Sequence, residues 1–318
     1  MLLVITNSED QTADYLCRRL RAAGCDFLRF DSESISERVT IEYSSCEPVL
    51  KFGHRLVAPS DVSDVWLRRP KALHVTNEAD EAETRHTSAE WSEALEGFLA
   101  HIPIERWMNH PAHNVMASHK IEQLTRAHAH GLAVPKTLVT QSPERLLEFW
   151  EHCDGEVVLK PIASGFIERA EPADDTHIYT NAVKAHDLCA AAVLQRCPTL
   201  FQQRIQKTAD VRVCIVDDAL HSITLAAAEA DGRQRLDIRR DNMNDVRYAQ
   251  IDPPETVRVA LLKLTRSYGL RFAAIDLAIT PSGEWVFFEV NPNGQWAWLD
   301  LVGASDIASS FISAFQRL

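Results

Sequence analysis

The chain has 318 residues, 46% of them hydrophobic and 25% charged, and carries a formal net charge of −12. That length accommodates two or three lobes with substantial cores, and the acidic balance opposes nucleic acid as a primary partner. No stretch reaches the length of a membrane span and Met1 leads straight into a strand-like run, so no membrane partner is expected.

Seven cysteines (Cys17, Cys25, Cys46, Cys153, Cys189, Cys197 and Cys214) show no CxxC spacing. They read as reduced thiols of a cytoplasmic protein. A nucleotide can still bind an acidic chain, because local Lys and Arg outweigh a distant net charge.

Residues 1–6 read as a strand, 12–23 as a helix with Ala13, Leu16 and Leu20 at helical spacing, and 26–30 as a second strand. Gly24 suits the helix end, and the three segments form a β-α-β opening. No GxGxxG follows the first strand, which disfavours a Rossmann dinucleotide site. Residues 39–45 and 48–52 resemble a hairpin. Residues 62–67 read as a strand that ends in Trp66-Leu67-Arg68-Arg69-Pro70. Two arginines at a strand end either grip an anion or form a solvated basic edge, and the pattern leaves both readings open. Residues 78–100 predict a long acidic amphipathic helix with Trp91, Leu95 and Phe98 on its apolar side.

Trp107 to Pro111 reads as a strand entering a turn. His110, His113 and His119 are set aside as zinc ligands, because Pro111 breaks the helix that would align them and nothing completes a tetrahedral set. Residues 118–130 predict a helix stopped by Gly131, with Lys120 in its first turn. A strand over 134–139 precedes a helix start at Ser142-Pro143. The strand 156–160 ends in Lys160, placed either as a point charge for phosphate or as a surface lysine. The loop 162–180 has Gly165 as its one flexible residue, and Glu168, Glu171, Asp174 and Asp175 make it a poor phosphate cradle. Strands follow over 199–203, 210–216 and 220–228, with Asp210 and Arg212 on one face of the second. A second basic pair, Arg239-Arg240, comes next; 253–268 predicts a helix ended by Gly269, and 307–317 a closing helix. No internal repeat or low-complexity segment appears.

The densest chemistry lies in 272–299, where two apolar runs flank a Pro-Ser-Gly turn and read as a hairpin of buried strands. Asp276 interrupts the first run, and Glu289 and Asn291 interrupt the second. Alternation puts Glu289 and Asn291 on one face, where Asp276 can join them from the neighbouring strand. Two carboxylates and an amide oxygen form a hard-oxygen site suited to magnesium with phosphate oxygens as further ligands. Ordinary edge or turn polar residues are the plainer reading, but paired buried carboxylates need a cation.

Taken together, a lysine-ended strand, Gln202-Gln203-Arg204-Ile205, an Asp210-x-Arg212 strand and the late Asp…Glu-x-Asn trio resemble the ATP-grasp ligases from about residue 109 to the end. Finer features resemble one branch, the microviridin-type peptide maturases or graspetide synthetases: Trp-Leu-Arg-Arg-Pro, Val-Leu-Lys-Pro, Ile-Tyr-Thr-Asn, Asp-Val-Arg-Val, Asp-Ile-Arg-Arg and Glu-Val-Asn-Pro-Asn-Gly-Gln-Trp. The resemblance implies an α/β N-terminal domain (1–108), a central ATP-grasp domain (109–200) and a C-terminal antiparallel-sheet domain with the metal site (201–318). It implies ATP and Mg²⁺, with Lys120 and Lys160 on phosphates, Gln203, Arg204 and Ile205 at the adenine, and Asp210 at the ribose or nucleotide. Arg212 and Arg240 would neutralise the transferring phosphoryl and the acyl phosphate, and Asp276, Glu289 and Asn291 would hold magnesium. It also implies a precursor peptide, leader plus core, whose Asp or Glu side chains are joined to Ser, Thr or Lys; a homodimer is left open. Two features depart from the family's pattern: Gln203 stands where an acidic hinge residue is usual, and the loop after Lys160 is poor in glycine. A RimK-like ligase adding free amino acids, and a silent ATP-grasp fold that only binds peptide, are the alternatives.

Overall fold

The structure, a computed structural model, describes residues 1–73, 80–163, 165–167, 169, 175–229, 232–240 and 243–316, with backbone only for 189–193. Glu168, Glu171 and Asp174 of the expected acidic loop, Glu78 and Arg317 at two expected helix ends, and the Cys189 side chain lie outside the described residues. The six described cysteines are free thiols, and none of the described helices is long and apolar enough to cross a membrane.

The N-terminal lobe is built on the expected β-α-β unit. Strand β1 (Leu2–Thr6) pairs in parallel with β2 (Phe27–Asp31) and β6 (Asp64–Leu67), and helix α1 (Gln11–Ala22) makes the crossover. Asp10 caps α1 by accepting from the Thr12 and Ala13 amides, and Gly24 ends it at φ +71°. A short helix α2 (Ile35–Arg38) leads into the antiparallel strands β3 (Val39–Ser44), β4 (Glu47–Phe52) and β5 (Arg55–Val57). Helix α3 (Glu81–Leu99) starts at an Asp80 cap and buries Leu95, Phe98 and Leu99. The expected strand at Trp107 reduces to one parallel bridge with Val65.

Period-two alternation sorts β1 between two cores. Leu3 and Ile5 pack with Phe30, Val65 and Phe98 inside the lobe, whereas Leu2 and Val4 join Trp66, Phe272, Trp296 and Phe311 in a core shared with the C-terminal lobe.

Helix α4 (Pro111–Ala117) and helix α5 (Lys120–Ala129) follow. The middle sheet runs β11-β8-β12-β7, from β7 (Thr137–Thr140), β8 (Val157–Lys160), β11 (Asn181–Ala182) and β12 (Thr199–Gln203). Helix α6 (Pro143–His152), capped by Ser142 with Pro at N1, covers it. The loop after Lys160 holds a small pair, β9 (Phe166–Ile167) with β10 (Thr176–His177). Ile178 donates to the Gly165 carbonyl, and a Cβ at Gly165 would meet the Ile178 oxygen at 2.5 Å, so glycine is required there.

The C-terminal sheet runs β15-β14-β13-β16-β17, all antiparallel, from β13 (Ala209–Val216), β14 (Ala219–Ala226), β15 (Arg247–Gln250), β16 (Phe272–Ile279) and β17 (Trp285–Asn291). Helix α7 (Glu255–Ser267) and α5 cover one face, over Val213, Ile275, Phe287 and Val290. Helices α8 (Ala297–Leu301) and α9 (Ile307–Phe315) cover part of the other. Thus α4 and α5, which the sequence division at residue 109 sets with the middle lobe, pack on the C-terminal sheet. The rest of that second face is open, and it holds the polar residues.

Candidate active site

A cleft of about 1090 Å³ lies between the middle and C-terminal sheets. Its floor is the face of β13 and β16 that carries Asp210, Arg212 and Asp276, all at even positions like the buried Cys214 farther along. Asp276 lies directly opposite Glu289 in the antiparallel register, and Asn291 reaches both carboxylates, its Nδ2 3.4 Å from Asp276 Oδ2 and 3.2 Å from Glu289 Oε1. The register shifts between Asp276 and Leu277, so Phe288 is the extra residue of a β-bulge. The bulge lets two successive residues, Phe288 and Glu289, line the cleft.

Cations answer these acids. Arg212 Nη1 donates to Asp276 Oδ1 at 2.8 Å, and Lys120 Nζ stands 3.4 Å from Glu289 Oε2 while donating to the Pro161 carbonyl at 2.9 Å. Lys160, at the end of β8, sets its ammonium 4.2 Å from the Phe288 ring centre. Burial pushes the Lys160 ammonium down to about 8, against the opposing pull of Glu289. Burial raises the Asp276 carboxyl above the usual range, Arg212 offsetting and Glu289 adding to the effect. Burial would raise Glu289 as well, but Lys120, the Asn291 amide, Lys160 and Arg212 hold it below the usual range.

Asp276 and Glu289 are hard oxygen donors on two adjacent strands, which is the chemistry Mg²⁺ takes. The Asn291 amide, which here turns its Nδ2 to both, would join them with its oxygen turned inward, and the open cleft leaves room for phosphate oxygens. Among the described residues no three His, Cys, Asp or Glu side chains cluster as a metal set. His110 instead caps α4, and His113 bonds the Gly269 carbonyl.

Gln203, Arg204 and Ile205 line the cleft where β12 ends. The amides of Gln203 and Arg204 are already donated to the Lys136 and Glu156 carbonyls, so a purine edge would meet the carbonyls and the Ile205 amide. Asp210 accepts from Lys207 at 2.6 Å and from Gln234 at 3.0 Å.

Arg240 is not brought to this cleft. It lines a separate cavity of about 780 Å³ with Asn181, Lys184 and Asp187, and its guanidinium is 3.4 Å from Asn181 Oδ1. Its neighbour Arg239 faces the cleft instead, bonded to Asp237 at 2.8 and 2.9 Å. Both sit in an irregular turn, where nothing in the sequence marks which of two arginines takes the inner side.

Two further residues brace the site: Arg68, expected either to grip an anion or to lie solvated, does neither, and Asn109 carries no expected role. Arg68 is 1% exposed and donates to the carbonyls of Asn293 and Gly294 and to Gln295 Oε1, with its Nε 3.8 Å from the buried Asp10. Asn109, at φ +64°, donates to the Phe272 and Pro292 carbonyls and accepts from the Arg271 and Phe272 amides. The loop after Asn291 is thereby held from two sides. Gly294 fits there because a Cβ would meet Ala274 Cβ at 2.4 Å. Arg69, next to Arg68, lines the cleft.

Residues 1–115 match the family model described as the MvdD pre-ATP grasp domain. No curated protein matches the chain in sequence. Among solved structures, macrocyclase MdnB from Microcystis aeruginosa MRC is 27% identical with a TM-score of 0.77, covering 100% of this chain and 99% of that one. Macrocyclase MdnC of the same organism, solved with precursor peptide MdnA, gives 24% and 0.84, covering 99% of each chain. A RiPP-associated ATP-grasp ligase from Chryseobacterium gregarium, solved with ADP and a leader and core peptide, gives 23% and 0.85, covering 99% of this chain and 96% of that one.

Proposed function

We propose that this chain, an ATP-grasp ligase by its fold and its MvdD-type N-terminal domain, activates Asp or Glu side chains of a ribosomally made precursor peptide and closes ω-ester or ω-amide rings. The cleft carries the reading: Lys160 on the middle-sheet wall opposes a carboxylate pair on the C-terminal sheet, with Lys120 of α5 between them, in a space large enough for a nucleotide and a peptide side chain. The end-to-end likeness to ligases solved with precursor peptides supports the substrate class.

In this reading Lys120 and Lys160 bind ATP phosphates, the Gln203–Ile205 segment holds the base, and Asp276, Glu289 and Asn291 would hold Mg²⁺. When bound, the metal supplies charge neutralisation at the phosphate oxygens. A peptide carboxylate oxygen attacks the γ-phosphorus and ADP leaves, giving an acyl phosphate. A hydroxyl or amine of the same peptide then attacks the acyl carbon, and the C–O bond to phosphate breaks as the ring closes. Arg212 and Arg239 lie where negative charge accumulates in both steps. The peptide partner comprises a leader, which positions, and a core, which reacts; the net charge speaks against nucleic acid, and a cytoplasmic location fits a reaction that consumes ATP.

Glu289→Ala should abolish ADP formation while the protein stays folded; turnover at the parent rate would misassign the metal site. Mass spectrometry of a precursor peptide incubated with enzyme, ATP and Mg²⁺ tests the reaction itself. Ring closure lowers the mass by one water per bond without any added amino acid. Mass gains that require an added amino acid would overturn the macrocyclase and favour the RimK-like reaction.

A further inference from the structure

Strand β17 is the edge of the C-terminal sheet; on its outer side the Phe287 amide donates to the Ala133 carbonyl at 2.8 Å, just past the end of α5, and among the described residues no further strand pairs there. At Val290, flanked by Glu289 and Asn291, one side chain takes over that role. Gln123 Oε1 accepts from the Val290 amide at 3.0 Å, and Gln123 Nε2 donates to the Val290 carbonyl at 2.9 Å. The same Nε2 donates to the Ala117 carbonyl at 2.5 Å, at the end of α4. Gln123 is 1% exposed, and Val290 is equally buried. A side-chain amide that reads both backbone groups of one residue fixes translation along the strand as well as separation from it, because each bond fails if the helix slides.

Lys120 lies one turn earlier on α5, on the same side of the helix. Its ammonium bridges the two walls of the cleft, reaching Glu289 of the metal strand and Pro161 beside Lys160. Leu124 and Ala127 seat α5 against the sheet through apolar contact, which is non-directional and tolerates a slide, while Glu122 and Arg126 bond to Tyr268 and Ser267 at the end of α7 rather than to β17. The Gln123 amide supplies the direction.

We propose that Gln123 is a positioning residue for the nucleotide site: its paired bonds to Val290 set the register of α5 on β17, and thereby the place of Lys120 between the metal carboxylates and the phosphates. The inference rests on the assignment of Lys120 to ATP phosphates made above.

The test is calorimetric titration of the full chain with AMPPNP in excess Mg²⁺, for the parent, Gln123→Met, Lys120→Ala and the double variant, at a temperature where thermal melting shows all to be folded. Methionine keeps the length and burial of Gln123 while removing all three polar bonds. Gln123→Glu, which keeps the acceptor for the Val290 amide but turns an oxygen toward two carbonyls, gives a second reading should the methionine variant fail to fold. The expected result is affinity about tenfold weaker for Gln123→Met, the scale of one charge-assisted bond, and no further loss when it is added to Lys120→Ala. Lowered melting temperature with parent affinity would make Gln123 merely structural and overturn the proposal. So would a loss that adds in full to that of Lys120→Ala. Parent affinity in Lys120→Ala itself would overturn the assignment of Lys120, a separate failure visible in the single variant.

Discussion

Two adjacent-arginine pairs, Arg68-Arg69 after β6 and Arg239-Arg240 in the loop before β15, resolve in opposite ways. In the first pair the leading arginine is sealed in the core, where it braces the loop that follows Asn291, and the trailing one lines the cleft. In the second the leading arginine lines the cleft, and the trailing one serves a neighbouring cavity. Arg68 and Arg69 continue the line of β6, where extended chain sends successive side chains to opposite sides. Arg239 and Arg240 sit instead in a turn closed by the Arg240 amide on the Asp237 carbonyl. By either route each pair gives the cleft one guanidinium. A doubled arginine therefore marks a seam between two environments, here core and cleft in one case, cleft and second cavity in the other.

That contrast can be broken at four points. Arg68→Ala leaves the buried Asp10 without its counter-charge and the 293–294 carbonyls without their donor, so denaturant unfolding should show a loss of about 3–5 kcal/mol. Arg69→Ala should stay within about 0.5 kcal/mol of the parent in the same assay while lowering ATP turnover. Arg239→Ala should reduce kcat/KM for ADP formation about a hundredfold, measured on folded protein, as expected for an arginine facing developing phosphoryl charge. Equal losses from Arg239→Ala and Arg240→Ala would erase the distinction drawn between them.

A smaller effect concerns Asp237. Burial alone would raise its carboxyl, but Arg239 and the Arg239 and Thr180 amides hold it down to about 2. A carboxyl depressed in the folded state adds stability above its unfolded value, and that stability is lost as pH falls through the folded one. Asp237→Asn should therefore cost about 1–2 kcal/mol near neutrality, a difference that shrinks below about pH 4 toward pH 2. The smallest effect is Arg240→Ala, an exposed arginine whose partner Asn181 stands 3.4 Å away; its turnover should stay within about twofold of the parent.

What was legible followed from periodicity. Asp210 and Arg212 share a face because strands alternate, and so do Glu289 and Asn291. The register that the short turn sets would pair Asp276 with Phe288, however, and it is the bulge that brings Glu289 opposite it. Lys160 ends its strand as expected, and Lys120 opens its helix. The rest depended on contacts that no local pattern encodes. Gln123 meets Val290 and Asn109 meets Phe272 across more than a hundred and sixty residues. Neither side chain differs in sequence from a surface amide. The bulge that turns Phe288 inward lies inside a plain apolar run. Arg239 and Arg240 could not be told apart because their segment has neither helical nor strand period.

The core shared between the ends of the chain has a consequence for synthesis. Leu2, Val4, Leu16 and Trp66 close over Trp296, Phe311 and Phe315, so the lobe made first cannot finish burying that face, which α1 covers only in part, until α8 and α9 have been made. Domains that fold as they emerge are ordinarily self-sufficient. This one keeps an apolar surface uncovered while the residues between it and α9 are being synthesised.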